Sequence, residues 1–256
     1  MPLTDGAELS LGVMLFLAAI SFATSMLSAI VGMAGGIVLL ACMLLFLDPL
    51  VAIPIHGLIQ LVSNGSRAFI QRRHVRWDIT WRYSAFLVPG AWIGLQIALE
   101  VPRTLMRALI GVFVMVATWV PRHKSASSST SSPPGLRRFV ILGGVAGMLN
   151  MLVGAVGPLI APFFLSLGLA RQEIVGTKAM CQTIGHLVKL VLFGVAGFAF
   201  LAYLHLYALM IPMVLLGTWV GSRILDRVSE QLFIWIYKIA LSGIAIFLMI
   251  EAIELP

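Results

Sequence analysis

Apolar runs take up nearly the whole chain, and they determine the solvent in which it can fold. Ten such runs follow one another, at residues 9–31, 37–47, 50–70, 81–99, 104–120, 138–153, 159–169, 172–193, 203–222 and 232–251. Charged residues make up only 11% of the chain, whereas a soluble domain carries about 25%. We therefore predict an all-α polytopic membrane bundle with eight to ten membrane helices, embedded in a lipid bilayer.

The net charge of +7 does not indicate a nucleic-acid partner, because the basic residues lie in short clusters between apolar runs. That distribution is typical of the cytoplasmic loops of membrane proteins. Cys42 and Cys181 lie inside apolar runs, without a CxxC motif or metal-ligand spacing, so we interpret them as small buried residues. The sequence predicts neither a metal site nor a cofactor.

A Ser- and Pro-rich stretch divides the chain into two similar halves. We predict a first membrane repeat at residues 1–120, a flexible cytoplasmic linker at 121–137 and a second repeat at 138–256. With residue n placed against residue n+122, glycines and a glutamine coincide, and a shift to n+127 pairs the segment Gly90–Gly94 with Gly217–Gly221. Ordered matches of this kind indicate a duplication, and internal repeats are common in transporters.

Each half contains five apolar elements, and an odd number of elements implies that the two halves are inverted. The second element of each half has only about 11 residues, which is too short to span a bilayer. It follows a glycine-rich break, at residues 32–36 and 154–158. We predict a re-entrant or short-helix hairpin in each half, with its tip inside the protein. An eight-helix arrangement with parallel repeats is the alternative.

The positions of the basic residues predict the orientation in the cell (inner) membrane. Arg72, Arg73, Arg76 and Arg82 follow the third element and are predicted to form a cytoplasmic loop, as is the basic linker. The acidic residues Asp5, Glu8, Glu251 and Glu254 then place both termini outside.

The third element of each half carries one polar stripe. The stripes are His56, Gln60, Asn64 and Arg67 in the first half, and Lys178, Gln182, His186 and Lys189 in the second. Both have the spacing 0, 4, 8 and 11, which places their members within an arc of about 80° on a helix. Such a stripe normally faces the bundle interior or a water path, because exposure to lipid is unfavourable.

The residue types in the stripes indicate an anion. Pathways for metal cations usually contain carboxylates, and neither stripe has one. Lysine, amide and imidazole groups donate hydrogen bonds, and glycine breaks expose backbone N–H groups at a helix start. The candidate substrate-binding residues are Lys178, Gln182, His186, Gln60, Asn64, His56, Gly35, Gly36 and Gly157. The alternatives are snorkelling of Arg67, Lys178 and Lys189 to the surface, and simple packing by the others.

Several segments, taken in order, resemble the sulfite exporter TauE/SafE family, also called the toluene-sulfonate uptake permease family. They are Gly32-Met33-Ala34-Gly35-Gly36, the repeated polar third helix, the basic turn Arg72–Asp78, Pro89–Gly94, and Gly154-Ala155-Val156-Gly157-Pro158. The resemblance implies a carrier of sulfite, sulfoacetate or another small organic anion.

We therefore predict a secondary transporter that moves a small anion by alternating access, with His56 and His186 available for proton coupling. A passive anion channel and a non-transporting membrane scaffold are the alternatives. An enzyme is not expected, because the acidic residues away from the termini lie in turns.

Overall fold

The computed structural model describes residues 9–31, 35–119, 135–224 and 230–254. Parts of several predicted features lie outside these ranges. They are Asp5 and Glu8 near the start, residues 32–34 of the first glycine break, and residues 121–134 of the predicted linker. Within the described ranges every regular element is a helix, as the apolar runs predict.

Eleven α-helices are found in the described parts of the chain. They are α1 (Leu11–Val31), α2 (Gly35–Leu44), α3 (Pro49–Ile70), α4 (Trp77–Ala85), α5 (Leu87–Glu100), α6 (Arg103–Trp119), α7 (Arg138–Leu152), α8 (Gly157–Leu165), α9 (Arg171–Val195), α10 (Leu204–Ile224) and α11 (Glu230–Glu254). Short 3-10 turns follow both third elements, at Arg72–His74 after α3 and at Phe200–Tyr203 after α9.

Among the described residues, only the fourth apolar run is divided into two helices where one was predicted. The run predicts a single helix at residues 81–99, but α4 ends at Ala85 and α5 begins at Leu87. Pro89 explains the break, because its ring would clash with the carbonyl of Ala85 four residues earlier. The prediction that Arg82 belongs to a loop is wrong, since Arg82 lies within α4.

Both short helices turn back towards the start of the helix before them. The rings of Phe16, near the start of α1, and Phe46, just after α2, lie 5.7 Å apart. The rings of Phe139, at the start of α7, and Phe164, near the end of α8, lie 5.1 Å apart. With ten and nine residues, α2 and α8 are only about 15 Å long, half the hydrocarbon thickness of a bilayer. Each half therefore contains a helical hairpin that returns to the side from which it starts.

The two third helices pack against each other in opposite directions. Gly57 of α3 lies against Lys189 of α9, while Gly65, further along α3, lies near Thr183, which is earlier in α9. The two fifth elements, α6 and α11, also pack as an antiparallel pair.

Glycines allow the first helix of each half to approach the fourth element of the other half closely. Gly90 of α5 lies directly against the backbone carbonyl of Gly144 in α7, and Gly217 of α10 lies against that of Phe22 in α1. A β-carbon on either Gly90 or Gly217 would collide with that carbonyl. The two contacts are equivalent in the sequence comparison of the halves. Residue 90 corresponds to residue 217 at the offset of 127, and residue 22 corresponds to residue 144 at the offset of 122. The halves therefore interleave through equivalent contacts.

The surface of the bundle is apolar and part of its interior is polar. Ile141, Val195 and Leu201 are each more than 70% exposed, whereas Asn64 and Lys189 are at most 1% exposed. By length and composition alone, the segments Leu11–Ala29 and Phe200–Gly221 could cross a membrane. The helices α3 and α9 are as long, with 22 and 25 residues, but carry the polar stripes. An apolar surface around polar helices is the distribution expected in lipid.

Candidate functional site

The polar stripes of the two halves meet where α3 crosses α9. The rings of His56 and His186 lie edge to face, with their centroids 6.0 Å apart. His56 is 1% exposed and His186 is 5% exposed. One histidine from each half thus marks the centre of the crossing, so the stripes face each other rather than the surrounding surface.

A small cavity lies between the stripes, and it collects most of the residues predicted from the sequence. Eight of the nine candidates line it: Lys178, Gln182, His186, Gln60, Asn64, His56, Gly36 and Gly157. Gly35 does not line it. That residue packs against α1, where a β-carbon would collide with the carbonyl of Thr24 and the hydroxyl of Ser28. Gly35 is thus a packing residue, and its neighbour Gly36 faces the cavity.

Several other lining residues are not among the nine candidates. Ser28 reaches the cavity from α1, Ile37 from α2, and Arg67 from α3. Ala155, Val156 and Pro158 line it from the second glycine break, on either side of Gly157. The glycine-rich breaks were the available signal for these last residues, since a whole backbone turn, rather than single glycines, forms that wall.

The cavity is narrow in this conformation. It leaves about 20 Å³ for the centre of a water-sized sphere, which is roughly enough for one water molecule. A four- or five-atom oxyanion needs more room. Binding such an ion therefore requires the lining residues to move apart.

Two short helices point their N-terminal ends at the cavity. Gly36 and Ile37 lie in the first turn of α2, and Gly157 and Pro158 lie in the first turn of α8. The first N–H groups of a helix have no intrahelical acceptor, and the helix dipole makes this end partly positive. Both hairpins therefore contribute positive potential to the same small space.

Arg67 and Lys189 are buried cations that bond to backbone carbonyls. Arg67 is 9% exposed, and its Nη1 donates to the Ser28 carbonyl oxygen at 3.2 Å, near the end of α1. Lys189 is fully buried, and its Nζ donates to the Gly154 carbonyl oxygen at 2.7 Å, just after α7. A cation near a helix C-terminus is favourable, because the last carbonyls of the helix lack partners. The snorkelling alternative is therefore wrong for both residues.

Carboxylates do not line this cavity anywhere in the described ranges. The same ranges contain no group of three or more His, Cys, Asp or Glu residues that could hold a metal ion. Arg67 and Lys178 supply positive charge to the lining, and amides and imidazoles supply the other polar groups. The lining is therefore suited to a negatively charged ligand.

The chain matches a known protein family over most of its length. The family model described as "Sulfite exporter TauE/SafE" matches residues 17–248, which include every lining residue named above and both hairpins except the first six residues of α1. The chain belongs to the sulfite exporter TauE/SafE family. No curated protein and no solved structure matches it. TauE/SafE proteins are integral membrane transporters, so the cavity of this TauE/SafE chain lies inside a transporter.

Apolar packing closes the α3–α9 crossing on one side of the histidine pair. Ile53 of α3 and Phe193 of α9 are fully buried there. Phe193 also packs edge to face on Phe198, which stacks on Tyr203 with ring centroids 5.6 Å apart. In this TauE/SafE chain the end of the crossing near the turn after α9 is thus filled by aromatic rings.

The opposite end of the crossing is polar and basic. The turn after α3 contacts α9, where the Arg76 N–H donates to Thr177 Oγ1 at 2.9 Å. The Arg76 guanidinium forms an ion pair with Asp78 at 3.0 Å and, by hydrogen bonding, lowers the pKa of that carboxyl. The cavity lies on the basic side of the histidine pair, because its lining residues on α3 run from His56 towards Arg67 and those on α9 run from Lys178 to His186.

Proposed function

We propose that this protein is a secondary transporter for a small oxyanion, such as sulfite, a sulfonate or a sulfoacetate-like ion. The supporting observation is the meeting of two duplicated polar stripes in one cavity that has cationic and amide lining residues and no carboxylate within the described ranges. The family name adds the chemical class, since it describes sulfite export.

In this proposal the anion binds between Lys178, Gln182 and His186 on α9 and His56, Gln60 and Asn64 on α3. The N-terminal ends of α2 and α8 contribute backbone N–H groups beside Gly36 and Gly157. The positive groups offset the cost of removing an anion from water, and hydrogen-bond donors fix its orientation.

Alternating access between two inverted repeats is the proposed mechanism. Three observations support it: the third helices run antiparallel, the hairpins return to their starting sides, and equivalent glycine contacts join the halves. Under this proposal the present conformation is nearly closed around the site, with the aromatic end shut more tightly than the basic end. The positive-inside rule places the basic end in the cytoplasm and both termini outside.

The geometry favours a carrier over a passive channel. The cavity holds about one water molecule, and buried aromatic rings fill one end of the crossing. A channel needs a continuous water-filled path, whereas a carrier needs a site closed to at least one side. Proton coupling through the facing histidines is part of the proposal, because imidazole titrates near neutral pH in water.

Uptake of labelled sulfite into proteoliposomes tests the proposal. Saturable uptake and acceleration by unlabelled sulfite inside the vesicles are expected of a carrier. Gln182→Ala should raise the KM by about tenfold, since it removes a hydrogen bond to a charged ligand. Gln172→Ala is the matched control, because Gln172 is an exposed glutamine on the same helix.

Lys178→Met tests the positive charge in the same way, with Lys238→Met as its control. Lys238 lies over the ring of Trp119 and does not line the cavity. If both site variants leave the KM at the wild-type value, the cavity is not the binding site. Unsaturable flux without acceleration would favour the channel.

A further inference from the structure

Three polar side chains of α3 form a continuous hydrogen-bonded chain that ends at the cavity. The Arg67 Nη2 donates to Asn64 Oδ1 at 2.9 Å, and Asn64 Nδ2 donates to Gln60 Oε1 at 3.2 Å. All three side chains are buried, with Gln60 5% exposed and Asn64 1% exposed. Each link runs in the same direction, from the guanidinium towards Gln60.

The direction of the chain follows from the chemistry of arginine. A guanidinium has five N–H donors and no acceptor, so the Asn64 atom facing it must be the amide oxygen. The Asn64 amide nitrogen then faces Gln60 and requires an oxygen there. Gln60 must therefore turn its own NH₂ group away from Asn64. Reversing any one link would place two donors or two acceptors against each other.

Gln60 is left with a donor that the protein does not use. Its Nε2 makes no hydrogen bond within the described residues, although Gln60 lines the cavity. The amide packs over Gly36, where a β-carbon would lie 3.2 Å from it, and its orientation is set by the hydrogen bond from Asn64. The side chain thus presents an oriented, unpaired N–H group at the wall of the site.

The second half of the chain lacks an equivalent arrangement. The corresponding positions of α9 hold Gln182, His186 and Lys189, and in the described structure no hydrogen bond joins these three side chains. Lys189 instead donates to the Gly154 carbonyl oxygen. Hydrogen bonds to neighbouring side chains of the stripe therefore fix the orientation of the Gln60 amide on α3 but not that of the Gln182 amide on α9.

We infer that Arg67 is a positioning residue which, through Asn64, fixes Gln60 as a hydrogen-bond donor, and that this donor selects ligands with an acceptor oxygen. The inference rests on the proposed transport of an oxyanion. A cation would meet an N–H group where it needs an oxygen, so the same arrangement disfavours it. Arg67 thereby acts on the ligand both through its charge and through the orientation of a neutral side chain.

Asn64→Asp tests the inference with almost no change in shape. An aspartate accepts the Arg67 hydrogen bond but cannot donate to Gln60, so the Gln60 amide is expected to turn over and present Oε1 to the cavity. The KM for labelled sulfite in proteoliposomes should rise by about tenfold or more, because a donor facing the anion becomes an acceptor and a negative charge enters the cavity lining. The uncharged Asn64→Leu change separates these two effects. Ser63→Ala is the control, since it removes only the 3.4 Å contact from Arg67 to the Ser63 hydroxyl.

Asn64→Leu removes the link without adding a charge. It frees the Gln60 amide to adopt either of two orientations, so about half of the molecules present the N–H group to the cavity. The KM should therefore rise by only about twofold. In a Gln60→Leu background the Asn64→Leu change should raise the KM by a smaller factor than it does in the wild type, because there is no amide left to orient. Size-exclusion chromatography and thermal unfolding of each variant in detergent show whether it is folded.

The outcomes separate this inference from the proposed function. If Gln182→Ala raises the KM but Asn64→Asp does not, the site stands and the orienting role of Arg67 and Asn64 is wrong. If the two changes in the cycle add, Asn64 acts independently of Gln60, which also overturns the inference. If the wild-type protein shows no saturable uptake of sulfite or a sulfonate, both the site and the inference fail.

Discussion

Substitution of Gly154 should destabilise the protein more than substitution of Gly168, a described loop glycine with a similar backbone conformation. Gly154 has a φ of +75°, in the left-handed region. A β-carbon there would lie 2.7 Å from Leu40 Cδ2 and 3.1 Å from Ile53 Cγ1. The left-handed conformation costs a residue with a β-carbon about 1–2 kcal/mol, and overpacking costs about 1–3 kcal/mol. Gly154→Ala should therefore lower the free energy of unfolding by about 2–5 kcal/mol.

Gly168→Ala isolates the backbone contribution. Gly168 has a φ of +66°, but a β-carbon there would have no neighbour within 4 Å. It should cost only the conformational part, about 1–2 kcal/mol. Thermal unfolding of the purified protein in detergent measures both variants. For a chain of this size, about 2–4 °C is lost per kcal/mol, so Gly154→Ala should lower the Tm by about 4–20 °C.

A second readout connects this stability loss to the site. The Gly154 carbonyl accepts the 2.7 Å hydrogen bond from Lys189, so a shift of this turn should also weaken sulfite uptake, whereas Gly168→Ala should leave uptake unchanged. If Gly154→Ala is no less stable than Gly168→Ala, then Leu40 and Ile53 do not hold the turn in place, and the packing described between the two hairpins is wrong.

Three further outcomes are expected. Arg107→Met should destabilise the protein by about 1–3 kcal/mol in chemical unfolding, because Arg107 Nη1 bonds both Glu251 and the end of α2 at 2.9 Å. Arg107→Lys should recover part of the loss, and equal losses would show that a positive charge alone does not stabilise this contact. Because Arg76 lowers the pKa of Asp78, this carboxylate stabilises the fold above about pH 4, and the stabilisation is lost as the pH falls through its lowered pKa. Between pH 5 and pH 3 the Tm of Asp78→Asn should therefore fall by less than the Tm of the wild type. An identical fall in both proteins would contradict this. Gly36→Ala should raise the KM for sulfite several-fold with little change in Tm, since its methyl group would press on a cavity amide, and an unchanged KM would show that this wall is free to adjust.

The sequence was sufficient to predict the helices, because bilayer thickness couples apolar length to structure. The sequence also assigned His56 and His186 to one site, because a polar stripe in lipid faces inward and the two stripes have equal spacing. In the structure their rings lie 6.0 Å apart. The break at Phe86 was not predicted. Pro89 was visible as a source of a kink, but a proline can either bend a helix or end it, and the surrounding packing decides which.

The positions of Gly35, Arg67 and Lys189 depend on information that a sequence does not display. Adjacent residues on a helix point about 100° apart, so the packing of α2 against α1 decided that Gly36 and not Gly35 reaches the cavity. The partners of Arg67 and Lys189 are the carbonyls of Ser28 and Gly154. Every residue has a carbonyl, and residue types therefore cannot show which one a buried cation will find.

The interleaving of the halves has a consequence for how cells make this protein. During translation α1 enters the membrane long before α10, the helix against which it packs most extensively, and α5 enters before its partner α7. Until these partner helices have been made, the faces of α1 and α5 that pack against them are covered only by lipid or by chaperones of the insertion machinery. A nascent chain that stops after the first half leaves these faces without their partners, which makes it a natural target for membrane proteases.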